Sequence, residues 1–373
     1  MKVKKIALLG GSHFIGYHLM DTLYNSGHDV TIFNRGITDP PKPFPREVKW
    51  INGDRNNPKT FASLFEKEFD VVFDINGYKL RHVKPIVRKY RHRIGHYIFC
   101  STTKVYDIPP KRPFNETSRR TLTPNTYGGD KALIEDFLIE QYQTYGWPVS
   151  ILQPQGVFGS HDLGFTAQQM GSIYHRIING LPIPVKAGAN YRLNLLYIND
   201  LVQAFIRSME QRQSHGKSYC VAGDDICSLT EFIKESARAC NKWPDIKMID
   251  APKYEDMEFG ISWTDCDMVA DNSKIKKELN VEFTTLEKGL EKTFIWLNKF
   301  SNPSAYGSFR GERFIMKNRP IPMALKIFWE LQDKLKFFII FLKHQYWFRG
   351  EWERGLRRFM KKFFRPRYLK TKK

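Results

Sequence analysis

The chain has 373 residues, 42% of them hydrophobic and 14% aromatic, and a formal net charge of +20. That composition excludes a disordered chain and is enough for one large core or two ordinary ones. The charge is uneven: residues 308–373 hold 19 Lys+Arg against 5 Asp+Glu, a net +14, so the basicity belongs mostly to the C-terminal end.

Met1-Lys2-Val3-Lys4-Lys5 is basic, but the apolar stretch behind it, Ile6 to Leu9, is too short for a secretory leader and runs into glycines. It reads instead as a first strand. A helix over Phe14 to Asn25 follows, closed by Gly27, and then a second strand, Val30 to Phe33. Between first strand and helix lies Gly10-Gly11-Ser12-His13-Phe14-Ile15-Gly16. Glycine there lets the chain turn sharply and lets backbone N–H groups approach a pyrophosphate, while Gly16 lets the helix pack closely on the strand. In this strand–turn–helix–strand context, residues 10–16 are expected to bind a dinucleotide. His13 stands where the middle glycine is usual; its side chain either donates to the phosphates or points to solvent.

Asn34-Arg35 ends the second strand, where an acidic residue commonly grips the adenosine ribose hydroxyls. Asn34 suits a ribose hydroxyl and Arg35 a 2′-phosphate, so the expected cofactor is NAD or NADP, with a lean towards NADP. Asp54 follows a third strand and is either an acceptor for the adenine amino group or a turn aspartate. Further strands are expected at Val71 to Asp74, Tyr97 to Cys100 and Val149 to Leu152, with a long helix over Tyr127 to Tyr145. The alternation predicts an α/β fold: a doubly wound parallel sheet with helices on both faces.

Thr102 closes the Tyr97–Cys100 strand, and Tyr127 and Lys131 lie four apart on one helix face. A hydroxyl, a phenol and an ammonium suit proton exchange with a carbinol while hydride moves to a nicotinamide. An unperturbed phenol with a pKa of about 10 is a poor base at neutral pH, and a nearby ammonium is expected to bring it down. Tyr-x-x-x-Lys alone is common by chance; the strand-end threonine and the glycine turn give it weight.

Together these motifs resemble an extended or atypical short-chain dehydrogenase/reductase of the NAD-dependent epimerase/dehydratase family, over roughly residues 1–300. Ser101-Thr102-Thr103-Lys104-Val105-Tyr106 is similar to the family's Ser-Ser-x-x-Val-Tyr segment, and Glu135 fits its helix pattern. The resemblance implies a Rossmann fold and a catalytic set of Thr102, Tyr127 and Lys131. It also implies a nucleotide-sugar substrate undergoing epimerisation, dehydration or reduction, and a homodimer. The glycine turn and Asn34-Arg35-Gly36 look closest to a branch that includes chloroplast stem-loop RNA-binding proteins. The alternative is therefore a redox-inactive protein that binds RNA.

From about Gln155 the rhythm loosens into short strands and isolated helices. The expected division is a nucleotide-binding domain at 1–154, with some later segments returning to it, a smaller substrate lobe at 155–302 and a helical basic extension at 303–373. Gln153 stands where the family often has arginine, and Arg192 is the candidate for the substrate diphosphate. The break at Ser301-Asn302-Pro303-Ser304 marks the end of the body. Beyond it, aromatics interleaved with lysine and arginine over 323–373 suit a helix lying on an anionic membrane surface, with RNA binding or packing on a partner as alternatives. The five cysteines, Cys100, Cys220, Cys227, Cys240 and Cys266, show no paired or metal-ligand spacing, so free thiols and a cytoplasmic location are expected, with the basic extension suited to a peripheral position on the inner face of the membrane.

Overall fold

The computed structural model describes residues 2–107, 113–121, 123–162, 165–188, 190–249 and 266–299. The break at residues 301–304 and the basic extension with its proposed membrane surface lie outside the described residues.

Seven parallel strands form the main sheet. They are β1 (Lys5–Leu9), β2 (Asp29–Asn34), β3 (Lys49–Asn52), β4 (Phe69–Asp74), β5 (Ile94–Cys100), β6 (Val149–Pro154) and, much later in the chain, β11 (Lys217–Val221). Their order is β11-β6-β5-β4-β1-β2-β3. The chain runs outward from β1 to β3 and then crosses back to β4 on the other side of β1. The carboxyl ends of β1 and β4 therefore diverge into a crevice, the place where doubly wound sheets bind ligands.

These strands read as unbroken apolar runs because both faces are covered. Ile6 and Leu8 point into a core shared with α1 (Phe14–Asn25) and α6 (Ile198–Glu210), among Leu19, Leu23 and Phe205. Ala7 and Leu9 point the other way, into a core with Phe61, Val83, Ile86, Ile134 and Leu138. That layer consists of α2 (Pro58–Leu64), α3 (Leu80–Tyr90) and α4 (Tyr127–Tyr145). The expected Rossmann architecture is thus present.

A smaller body packs beyond the sheet. It contains three two-stranded pairs: β7 (Val157–Phe158) with β10 (Leu196–Tyr197), β8 (Ile183–Lys186) with β13 (Ile246–Ile249), and β9 (Arg192–Asn194) with β12 (Ile226–Ser228). Its own core joins α5 (Phe165–Ile178), α7 (Leu229–Ala239) and α9 (Leu286–Leu297) through Ile173, Phe232, Ile233, Leu290 and Phe294. The short helix α8 (Ser273–Leu279) returns to the sheet side, where Ile275 and Leu279 join the first core. Residues 155–299 thus supply both bodies, since α6 and β11 complete the sheet and its helical layer.

Candidate functional site

The crevice opens into a cleft of about 1050 Å³, lined by the loops after β1, β2, β3, β4, β5 and β6 and by the start of α4. The predicted residues Gly10, Gly11, Ser12, His13, Phe14, Ile15, Asn34, Arg35, Asp54, Thr102, Tyr127 and Lys131 all line it. Gly16 and Arg192 do not.

The turn after β1 needs its glycines. Gly10 and Gly11 sit at φ +116° and +117°, and Phe14 itself, the first residue of α1, has φ +36°. Gly16 stands behind the turn: a Cβ there would lie 2.5 Å from the Gly11 amide nitrogen, so only hydrogen allows helix and turn to touch. His13 is the N-cap of α1 but gives no side-chain cap, and burial lowers its pKa, so the ring is neutral at pH 7. An uncapped helix start of this kind favours an anion.

At the end of β2 the Asn34 carboxamide is engaged at both ends. Its Nδ2 donates to Ser12 Oγ at 2.8 Å, and its Oδ1 accepts from Gly36 N at 2.9 Å and Trp50 Nε1 at 3.1 Å. Arg35 is exposed on the cleft wall and makes no hydrogen bond or ion pair among the described residues. Asp54 forms a local turn, its Oδ1 accepting from Asn56 N at 2.8 Å and Asn56 Nδ2 at 3.1 Å.

Thr102 leaves β5 in an extended conformation, and its Oγ1 accepts from Lys104 N at 3.2 Å. Tyr127 opens α4, with Thr126 capping the helix through Gly129 N at 3.1 Å. The helix start approaches the turn after Thr102 very closely: a Cβ on Gly128 would lie 1.9 Å from the Lys104 carbonyl oxygen. That approach brings Tyr127 to the same cleft as Thr102.

Lys131, one turn on, is 1% exposed; its Nζ donates to the Cys100 carbonyl at 2.6 Å and sits 4.5 Å from the centre of the Phe99 ring. Its pKa is lowered, chiefly by burial. The Tyr127 phenol is not brought down as the spacing predicts. Burial raises it, Cys100 and Tyr78 raise it further, and the Thr102 hydrogen bond offsets only part of this. The chain's own groups therefore hold Tyr127 as a neutral phenol, chiefly through desolvation.

A family model described as the NAD dependent epimerase/dehydratase family matches residues 6–222. The chain belongs to this family. It is 28% identical over 251 residues to the chloroplast stem-loop binding protein of 41 kDa b from Arabidopsis thaliana, a match covering 63% of each chain. The chain thus spans less than two thirds of that relative's length. It is 23% identical to the UDP-glucose 4-epimerase of Neisseria meningitidis serogroup C, over 61% of this chain and 77% of that enzyme. An epimerase structure from Methanothermobacter thermautotrophicus shares the fold with a TM-score of 0.67 at 16% identity, covering 82% of this chain and 94% of its own. The UDP-glucuronic acid 4-epimerase of Bacillus cereus in complex with NAD does so with a TM-score of 0.63 at 18% identity, over 81% and 100%.

In this epimerase/dehydratase-family chain two buried charged clusters flank the cleft, and the first escapes sequence reasoning. Arg55, just after Asp54, forms a two-pronged ion pair with Asp74 at 2.9 and 2.6 Å and donates to Asn76 Oδ1 at 2.5 Å. Tyr97 donates to the same Asp74 carboxylate at 2.5 Å. Burial alone would raise the Asp74 pKa, but Arg55, Tyr97 and Lys131 outweigh it and hold the carboxyl ionised. This pair ties the wall below Asp54 to the loop after β4, where Ile75, Asn76 and Tyr78 line the cleft. Behind Thr102, Glu135 accepts from Ser101 Oγ, from Arg120 Nη2 at 2.9 Å and from Gln153 Nε2 at 2.9 Å. Burial pushes Glu135 up to about 7, with Arg120, Ser101 and Gln153 opposing. Gln153 is itself buried and does not line the cleft.

Arg192 starts β9 on the smaller body. Its Nη2 donates to the Ile226 carbonyl at 3.1 Å and lies 3.7 Å from Glu231. Among the described residues no helix is long and apolar enough to cross a membrane.

Proposed function

We propose that the protein binds NAD(P) in this cleft and acts on a nucleotide sugar as an epimerase, dehydratase or reductase. The residues fit the cofactor: the glycine turn, with no Cβ at Gly16 or beside the uncapped α1, leaves backbone N–H groups for a pyrophosphate at the divergence of β1 and β4. Gly10 to Gly16 would form its phosphate cradle, Asn34, Arg35 and Asp54 its adenosine end, and Lys131 its nicotinamide ribose contact. When bound, the nicotinamide supplies the two-electron acceptor and donor for a carbinol carbon of the substrate.

The chain's residues then have the remaining tasks. Tyr127 exchanges a proton with the carbinol oxygen, acting as donor from its neutral phenol and as acceptor once deprotonated. Thr102 hydrogen-bonds that same oxygen, so that both hydroxyls serve one substrate atom. Lys131 keeps positive charge beneath them in a buried site, where it favours the deprotonated phenol. The observation that carries the reading is that Thr102, Tyr127 and Lys131 line the same cleft as the glycine turn. Turnover of a panel of UDP- and dTDP-hexoses, followed by NMR of the sugar, tests it. The Tyr127→Phe protein is expected to lose about 100-fold or more of that turnover. Full turnover would sink the assignment.

A second reading, binding of a polyanion such as RNA, draws support from α3 and the turn after it. Arg81, Lys84, Arg88, Lys89, Arg91 and Arg93 lie within 13 residues that contain no acid, and none pairs with a carboxylate among the described residues. Phosphate contacts need such a face.

A further inference from the structure

Two phenols, not one, face the cleft beside Lys131. Tyr78, in the loop after β4, lines it together with Tyr127, and each is 51% exposed, so each offers surface to whatever fills the cleft. Their ring centres lie 6.4 Å apart, and Lys131 Nζ sits 5.2 Å from the centre of the Tyr78 ring. An ammonium over an aromatic face holds the ring in place. The Tyr78 hydroxyl makes no hydrogen bond among the described residues. Proton exchange falls to Tyr127 and the ribose to Lys131, which leaves Tyr78 without a task.

The loop holds that aromatic where it is. A Cβ on Gly77 would lie 2.9 Å from Asp74 Oδ2 and 3.0 Å from the Phe99 ring, so glycine lets the loop press onto the strand ends. On the other side of Tyr78, Lys79 Nζ donates to Asp130 Oδ2 at 2.8 Å, tying the loop to the first turn of α4, which Tyr127 opens. The Tyr78 amide donates to His82 Nδ1 at 3.3 Å. Burial, Arg55 and Arg81 lower the His82 pKa to about 4, so at neutral pH the ring keeps the lone pair that this bond needs. Tyr78 and Tyr127 are thus carried as one unit. An apolar ring with a polar tip, half exposed in a concave site, suits a ligand that has both kinds of surface. A hexose is such a ligand, with C–H groups on the faces of its ring and hydroxyls around its edge.

We propose that Tyr78 is a substrate-contacting residue that selects the sugar: its ring packs against the C–H face of the hexose whose carbinol oxygen meets Tyr127, and its free hydroxyl hydrogen-bonds a second hydroxyl of the same sugar. The inference rests on the nucleotide-sugar reading given above. A hexose that reaches Tyr127 lies next to Tyr78, because the two rings stand at the spacing of packed aromatic pairs. On the same reading the phosphates and adenosine of the dinucleotide lie along the ends of β1, β2 and β3, away from this pair. A hydroxyl placed in this way discriminates among hexoses, since a sugar that fails to meet it leaves it unpaired.

Calorimetric titration of the full-length protein, first with nicotinamide dinucleotide and then with the panel of UDP- and dTDP-hexoses, tests this without any need for turnover. UDP and dTDP serve as sugarless controls. Tyr78→Ala is expected to weaken the sugar nucleotide that the unmodified protein binds by about tenfold or more. Tyr78→Phe, which loses only the hydroxyl, should weaken it by about threefold to tenfold. Both variants should keep their affinity for the dinucleotide and for the sugarless nucleotide to within about twofold, which also shows that they are folded. A Tyr78→Ala protein that binds the sugar nucleotide as tightly as the unmodified one would overturn the proposal and leave the nucleotide-sugar reading intact. So would one that loses the dinucleotide or the sugarless nucleotide to the same extent. If the unmodified protein binds the dinucleotide but no member of the panel, the nucleotide-sugar reading falls and the proposal falls with it.

Discussion

Lys131 and Glu135 sit one turn apart on the sheet-facing side of α4, and the surroundings of each decide what it does. Lys131, whose Nζ donates to the Cys100 carbonyl, supplies positive charge beneath the cleft and keeps further N–H donors for a ligand. Glu135 holds Ser101, the residue beside Thr102, and so fixes the hydroxyl above the cleft floor. Its cost depends on pH. The folded carboxyl titrates at about 7 against an ordinary value of 4.5, so its favourable contribution is complete below about 4.5 and is lost as the pH rises through 7. Denaturant unfolding of the native protein and of Glu135→Gln at pH 5 and pH 8 measures this. The stability of the native protein relative to the variant should fall by on the order of 2 to 3 kcal/mol between the two. A difference that stays flat would contradict the buried, proton-holding carboxyl. The Thr–Tyr–Lys spacing was readable in the sequence because strand end and helix face fix it. The Arg55–Asp74 pair was not, because it joins the ends of two strands whose adjacency depends on the sheet.

Among the elements, the central strands were the most legible. Burial on both faces leaves β1, β2, β4 and β5 as apolar runs that no amphipathic helix would show. Helix α3 was hidden: Pro85 lies inside it and its exposed positions are a run of cations, so only Val83, Ile86 and Val87 mark the buried side. Helix α4 was found through its motif, since its inner face carries Gly128, Gly129, Lys131 and Glu135 where apolar residues would normally stand. Gly128 has a stated job, which is to let the helix start meet the turn after β5. Gly128→Ala would force its methyl group against the Lys104 carbonyl oxygen and push Tyr127 away from Thr102. Thermal unfolding should show a loss of about 1 to 3 kcal/mol, with turnover falling at the same time. An unchanged melting temperature would mean that the close approach is not needed.

At the scale of the whole molecule, the first half of the fold follows from local pattern and the second half does not. The strands of the smaller body are two to four residues long, too short for a periodic signal. Strand β11 pairs with β6, Lys217 beside Ser150, so nothing near it in sequence announces its place in the main sheet. That return adds the last strand to the sheet, while the smaller body stands beside the cleft and contributes Val157 to its wall. The most direct test of this account is to denature the purified full-length protein, identify released small molecules by mass spectrometry, and titrate a cofactor-stripped sample with nicotinamide dinucleotides. A nicotinamide dinucleotide, released or taken up at about one per chain, is the predicted result. A protein that releases none and binds none would contradict it, and would leave the basic face of α3 as the feature to pursue.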